Sequence, residues 1–403
     1  MIFSIIYCRT VQFVFRWFAY LLLWRRPKRV VGHGMLSKLP SMLLEKKFDR
    51  ILLITDKFLG QTANFKTLLK ECDEAGIKTF VFDETVPNPT IENIEDAAKM
   101  YKVNKCKALV AFGGGSPIDC AKAAGIRIVR PYVPFGFLKG MLKVWVRIPY
   151  LVAIPTTAGT GSEVTVTTVV SDHKNKKKYP INDLVLIPRL AILDSNLAID
   201  LPPHLTSTTG MDALTHAVES FINRSNTRKT EEHAIRATKL IFENLVVAYK
   251  NGQDIHAREH MLKASHFAGL AFTRGYVGYG HSVAHALGAF YELPHGLANA
   301  ILLPYTVESY GAAATKRLAL LAKKAEIVDA NLSDEVAAKE FIAKIRELNV
   351  QLDIPTHIDC LVEKDLPALV DHALAEGNPF YPVPKIFGKK EMENLFKIAA
   401  GWN

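Results

Sequence analysis

The sequence changes period at Leu201-Pro202-Pro203, and that change limits the fold more than any other feature. Before it lie short, continuously apolar runs at Arg50–Thr55, Lys78–Phe82, Ala108–Phe112, Tyr150–Pro155 and Arg189–Asp194, separated by helical segments. Runs of this kind are strands buried on both faces, and strands alternating with helices make a parallel sheet. After Pro203, apolar residues recur at helical spacing from roughly 205–223 to roughly 389–400, with no strand signal. At 403 residues the chain is too long for one ordinary core. The expected class is α/β plus all-α. A separate helix at 1–29 precedes an α/β domain at 30–201 and an all-helical domain at 202–403. Residues 130–149 read as a basic, Pro/Gly-rich excursion, and 164–178 as a hairpin-like segment.

Residues 1–24 are apolar and aromatic but interrupted by Arg9 and Arg16. A secretory signal carries its charges before the apolar run, and a spanning helix needs about 20 residues almost free of charge. Neither pattern fits. On a helical wheel Arg9, Gln12, Arg16 and Tyr20 form one stripe, followed by the basic run Arg25-Arg26-Pro27-Lys28-Arg29. Of a net charge of +10, seven charges (Arg9, Arg16, Arg25, Arg26, Lys28, Arg29 and Lys38) lie in residues 1–44, which contain no Asp or Glu. The pattern leads us to expect peripheral contact of residues 1–29 with an anionic membrane surface. Packing of this helix on the protein's own body or on a partner subunit is the competing expectation. No basic motif on a folded domain points to nucleic acid. The five cysteines are scattered and lack a Cys-x-x-Cys, which fits a reducing cytoplasm, at the inner face of a membrane if the helix binds one.

The third strand runs into Gly113-Gly114-Gly115-Ser116-Pro117-Ile118-Asp119, and a helix follows. A glycine turn opening a helix presents backbone N–H groups to an anion, and the helix dipole adds attraction. We expect a phosphate cradle there, beside the plainer reading of a tight turn. Thr156-Thr157-Ala158-Gly159-Thr160-Gly161-Ser162 forms a second polar loop after a strand. Asp56 ends the first strand, where it suits either a ribose hydroxyl or a solvated turn.

Asp212 and His216 stand four apart, as do His281 and His285, and His295 follows Pro294. Helical spacing puts each pair on one face. Asp212, His216, His281 and His295 are the expected ligands of one divalent metal. Together with a dinucleotide site this suggests hydride transfer, with the metal as Lewis acid on an alcohol oxygen. His285 is spare. Positioning substrate or cofactor, or relaying the alcohol proton, stands beside the plain role of a helix histidine bonded to backbone.

The motifs GGGSPID (113–119), PTTAGTGSEVT (155–165), GMDALTHAVES (210–220) and GHSVAHALGAFYELPHGLANAILLPY (280–305) resemble those of the iron-dependent, group III alcohol dehydrogenase family. The resemblance runs from about residue 30 to the end. It implies a Rossmann-like dinucleotide-binding α/β domain and an all-helical metal-binding domain, in a homodimer that acts on a small alcohol or aldehyde. It implies Fe²⁺, with Zn²⁺ as runner-up, on the four residues above. It also places Gly114, Gly115, Ser116 and Asp119 at the pyrophosphate, with Thr156, Thr157 and Thr165 against the cofactor. Lys178 then falls at the nicotinamide ribose and Asp56 at the adenosine ribose. A carboxylate there repels a 2′-phosphate, so NAD is expected over NADP. At Thr273-Arg274 the chain departs from the Ser/Asn pair of many relatives. A glycerol dehydrogenase-like or dehydroquinate-synthase-like enzyme, or a membrane-tethered binding protein without catalysis, are the other readings of the same residues.

Overall fold

In the computed structural model, residues 2–175 and 177–402 are described. Contacts divide the chain into two units. One comprises Leu23–Leu201 with Gln253–Leu262, and the other Met1–Leu22 with Pro202–Gly252 and Lys263–Asn403.

The first unit runs β1 (Lys28–Gly32), α2 (Leu39–Leu44), β2 (Arg50–Ile54), α3 (Ala63–Glu74), β3 (Lys78–Phe82), α4 (Ile91–Val103), β4 (Ala108–Gly113), α5 (Gly115–Val129), α6 (Phe135–Leu138), β5 (Gly140–Met141), β6 (Tyr150–Pro155), β7 (Thr167–Asp172), β8 (Lys177–Asn182) and β9 (Leu190–Asp194). Helix α1 (Ile2–Leu21) precedes them in the chain and belongs to the other unit. Six strands make one parallel sheet in the order β1-β9-β6-β4-β2-β3. Its strands are apolar throughout because both faces are covered. Leu52, Ile54, Leu109 and Ala111 belong to one core, whereas Ile51, Leu53, Val110 and Phe112 belong to the core on the other face. Helices α4 and α5 fill the first core, and α2 and α3 the second. Each fully buried Leu or Ile contributes about 1.5–3 kcal/mol.

Strand β2 pairs with β3 on one side and β4 on the other, so the chain reverses its direction of travel across the sheet between them. Ligands of open α/β sheets bind at the carboxyl ends of strands at such a reversal. The glycine turn and Asp56 lie at those ends. The five apolar runs of the sequence all form strands of this sheet, but its sixth strand, β1, lies in what reads as a basic tail. Lys28 and Arg29 are exposed on an edge strand, where charge blunts further pairing and masks the strand signal. The 130–149 excursion contains the short strand β5, which joins the β7–β8 hairpin in a small second sheet.

The second unit is helical. It holds α1 (Ile2–Leu21), α7 (Pro203–Ile222), α8 (Arg228–Lys250), most of α9 (Ile255–Gly275), α10 (Tyr279–Tyr291), α11 (His295–Ser309), α12 (Ala312–Lys324), α13 (Asp334–Gln351), α14 (Leu366–Gly377) and α15 (Lys389–Ala399). Helix α7 is central. Every residue from Gly210 to Ile222 is buried, so its polar side chains need partners inside the protein.

Helix α1 forms as its periodicity predicts, and its polar stripe divides: Arg9 and Gln12 turn inward, whereas Arg16 and Tyr20 stay exposed. Arg9 and Gln12 hydrogen-bond to backbone carbonyls of the same unit, while Ile6, Phe13, Val14, Trp17 and Leu21 are exposed. No helix among the described residues is long and apolar enough to cross a membrane.

Candidate metal centre and dinucleotide loops

Helices α7, α10 and α11 bring four ligand atoms together. One atom each from Asp212, His216, His281 and His295 lies within 4.8 Å of the others. Asp212 and His216 share a face of α7, and His281 is in the first turn of α10. Glu292, in the left-handed conformation, ends α10 and turns the chain so that His295 opens α11. Asp212 Oδ1 is 3.4 Å from His295 Nε2 and 3.9 Å from His281 Nε2, and Oδ2 is 3.9 Å from His216 Nδ1. A tetrahedron with bonds of about 2.1 Å has edges of about 3.4 Å, close to these separations. The ring nitrogen His281 Nε2 is buried and has no hydrogen-bond partner in the chain. A buried orphan nitrogen aimed at a carboxylate and two imidazoles fits a metal ligand.

Burial opposes charge on Asp212, yet His216, His295 and His281 hold its carboxyl down to about 2. Burial and the other imidazoles push His281 well below the usual histidine range. Both directions favour the deprotonated forms that bind a cation.

Two groups that the sequence reading leaves out complete the site. Glu219 is fully buried, three residues beyond His216 on α7. It lies 2.6 Å from His281 Nδ1 and accepts the backbone N–H groups of Gly278 (2.7 Å) and Gly280 (2.8 Å). A Cβ on either glycine would come within 2.8 Å of the Glu219 carboxylate, so both positions need glycine for this approach. Burial pushes this carboxyl up, and the backbone N–H groups oppose it. Asn299, one turn after His295, donates to Asp212 Oδ1 at 2.7 Å and lies 3.1 Å from His295 Nε2. The signal for both was present: a carboxylate and an amide at helical spacing from a ligand, on faces otherwise apolar.

His285 keeps 43% of its side chain exposed and stacks on His295, with ring centroids 5.0 Å apart. Its Nδ1 is 2.6 Å from Glu376 Oε1, which also accepts the Tyr381 hydroxyl at 2.6 Å. This is a side-chain partner in addition to whatever its helix supplies. Burial raises the Glu376 carboxyl, but His285 and the two hydrogen bonds bring it below the usual carboxylate range. Arg274 lies over the Tyr20 ring of α1, 5.2 Å from its centroid.

In the α/β unit, Gly113 leaves β4 with φ of 151°, where a Cβ would strike Pro117 at 2.5 Å. Gly114 caps α5, whose first N–H groups lack intrahelical partners. A Cβ on Gly114 would lie 3.2 Å from Thr157, and one on Gly115 3.1 Å from Thr160, so the two polar loops adjoin. The Thr156 N–H donates to Gly113 O at 3.2 Å. Ser116 Oγ accepts the N–H of Asn88. Asp56 lies just past β2, its Oδ1 accepting the Leu59 N–H at 2.8 Å. Lys178 is exposed on β8, opposite Ser171.

Asp119, half-buried, and Thr165, buried, both bond to protein groups that the sequence did not indicate. The Asp119 carboxylate accepts the Val169 N–H at 3.0 Å and the Ser162 hydroxyl at 3.4 Å. The Thr165 hydroxyl accepts from Lys122 Nζ at 2.9 Å. Lys122, fully buried, also donates to the carbonyls of Thr165 and Thr167, which ties α5 to the second polar loop. Side chains so engaged tie the two polar loops to α5 and β7.

Residues 27–195 match the family described as iron-containing alcohol dehydrogenase, and 206–400 match the C-terminal region of the Fe-containing alcohol dehydrogenase family. Among curated relatives, 1,3-propanediol dehydrogenase of Citrobacter freundii is 37% identical over 354 residues, covering 87% of this chain and 91% of that protein. NAD-dependent methanol dehydrogenase of Bacillus methanolicus is 36% identical over 330 residues, covering 82% and 86%. A crystal structure of 1,3-propanediol oxidoreductase superposes with a TM-score of 0.90 at 34% identity, across 94% of this chain and all (100%) of the other.

Proposed function

Because the chain belongs to the iron-containing alcohol dehydrogenase family, we propose that it interconverts a small primary alcohol and its aldehyde, with NAD and Fe²⁺ as cofactors. The observation that carries the reading is the convergence of Asp212, His216, His281 and His295, with the orphan Nε2 of His281 among them. When bound, the metal supplies Lewis acidity at the substrate oxygen, and NAD accepts or returns the hydride.

The chain's own residues do the rest. Asp212, His216, His281 and His295 hold the metal. Glu219 keeps the proton of His281 on Nδ1, which turns Nε2 toward the metal. Glu376 does the same for His285, leaving Nε2 as the atom that handles the alcohol proton. Gly114, Gly115 and Ser116 receive the pyrophosphate at the start of α5. Thr156 and Thr157 line the adjoining loop, and Lys178 reaches the nicotinamide ribose. Asp119 and Thr165 act one step removed, by anchoring the loops. Asp56 meets the adenosine ribose, so NAD is used over NADP. Short-chain alcohols in the relatives' names support a small substrate.

We place the enzyme in the cytoplasm as a homodimer, with the outward apolar side of α1 resting on an anionic membrane surface. Support comes from free, unpaired cysteines and from exposed Phe13, Trp17 and Leu21 beside a run of basic residues. Co-sedimentation with anionic liposomes should fall on Phe13→Ser/Trp17→Ser. Equal binding by both proteins would remove the membrane from the account, and light scattering reads the dimer.

The catalytic reading is tested by incubating anaerobically Fe²⁺-loaded protein with NAD and a panel of alcohols. Reduced-nicotinamide absorbance should grow, vanish with chelator, return with Fe²⁺ and be far weaker with NADP. Metal and NAD both bound, with no turnover of any alcohol or aldehyde, would sink it.

A further inference from the structure

Helix α1 turns Arg9 and Gln12 inward while Phe13 and Trp17 stay exposed, and what those two polar side chains hold is informative. Gln12 Nε2 donates to the carbonyls of Pro379 (3.0 Å) and Tyr381 (2.8 Å). Arg9 donates to the carbonyls of Val383 (2.8 Å) and Pro384 (2.9 Å), and to Gln12 Oε1 (2.8 Å). Phe15 meets Phe380 edge-on at 5.7 Å. These contacts fall on one stretch, 379–384, between α14 and α15. Three prolines in it (Pro379, Pro382, Pro384) supply no N–H for regular structure, so its shape depends on donors from elsewhere.

Tyr381 stands in the middle of this stretch. α1 grips its carbonyl, and its hydroxyl donates to Glu376 Oε1. The same Glu376 oxygen meets His285 Nδ1. Glu376 lies at the last turn of α14 with 27% of its side chain exposed, and His285 is more open still. A carboxylate and a ring so placed would exchange partners with water unless a second donor fixed them.

We infer that α1 is a strut for His285: it shapes the 379–384 stretch, which sets Tyr381, which fixes Glu376, which holds the His285 ring. Arg9, Gln12, Tyr381 and Glu376 are positioning residues, none of them among the metal ligands. The family match begins at residue 27, so this support comes from outside the shared region. The inference rests on the reading above that His285 handles the alcohol proton.

The test uses the full chain loaded with Fe²⁺ and NAD. Gln12→Met keeps volume and removes the donors, Tyr381→Phe removes one hydroxyl, and a double variant combines them. Each single change should lower kcat about 10-fold, short of the ~100-fold that loss of general acid–base catalysis itself costs. Metal content and KM for NAD should stay unchanged, and the pH profile of kcat should shift. The double variant should be no worse than Tyr381→Phe alone, because both act on one chain of contacts. Hydrogen exchange in 378–387 should rise in Gln12→Met, and nitrogen-15 shifts of the His285 ring should report loss of its fixed Nδ1–H form. Should Gln12→Met not fold, Phe15→Ala loosens α1 on Phe380 without removing a hydrogen bond and serves in its place.

Additive losses, or a Gln12→Met protein with unaltered exchange and ring shifts, would overturn the strut. His285→Ala separates the two readings. If it leaves the pH profile unchanged, the proton role of His285 fails, and the strut is then decided by exchange and ring shifts alone.

Discussion

His281 and His285 sit one turn apart on α10, each with Nδ1 2.6 Å from a carboxylate, in opposite surroundings. His281 and Glu219 keep 3% and 1% of their side chains exposed, whereas His285 and Glu376 keep 43% and 27%. The bond is the same and the proposed use differs. Glu219 is clamped by two backbone N–H groups that cannot rotate, so His281 is fixed as a ligand must be. Glu376 is steadied by Tyr381, which hangs on a stretch gripped by α1. A group that passes protons needs access to water or substrate, and only the second histidine has it.

The largest effect expected from breaking this comparison is on the metal side. Asp212→Ala should abolish metal retention and cut kcat/KM on the order of 10³-fold or more, since Lewis-acid stabilisation is worth several kcal/mol and each 1.36 kcal/mol is tenfold. Metal analysis beside steady-state kinetics checks it, and metal retained at full stoichiometry contradicts it. His285→Ala should lower kcat about 100-fold, the lower bound for general acid–base catalysis, with metal content intact. Glu219→Gln should weaken metal binding ~10–100-fold, read by competition with a chelator, while Glu376→Gln should leave that affinity alone.

The smallest effect is in stability against pH. His281 is held well below its ordinary value, so the unfolded chain takes up protons first as pH falls through ~6.5. The metal-free protein should therefore lose stability on acidification below that pH, and His281→Ala should flatten the fall. Thermal melts from neutral pH downward read it, and an unchanged slope would mean that burial of His281 contributes nothing.

The candidate ligand set was legible in the sequence because helical spacing is local: Asp212 and His216, and His281 and His285, declare a shared face without knowledge of the fold. Glu219 and Asn299 were within reach of the same reasoning, three and four residues from a ligand. Glu376 and Tyr381 were not. They lie some ninety residues after His285 by the numbering, and only packing of α10 against α14 brings them near it. The parallel sheet was visible in its buried strands and hidden at β1, where an edge carries charge. The inward turn of the Arg9–Gln12 stripe was equally hidden, because periodicity finds a polar face and does not say whether water or carbonyl oxygens meet it. Asp119 and Thr165 show the converse limit. Their motifs mark loop architecture as readily as ligand contact, and the three-residue spacing of Asp119 and Lys122 on α5 does not say that Lys122 reaches across to Thr165.

The measurement closest to the centre of the account is Fe²⁺ affinity in His281→Ala and His285→Ala, each measured by chelator competition against the unmodified protein. The account predicts that His281→Ala no longer holds the ion and that His285→Ala holds it as the unmodified protein does, with kcat alone reduced. Equal loss of metal in the two variants would contradict it and make His285 a fifth ligand.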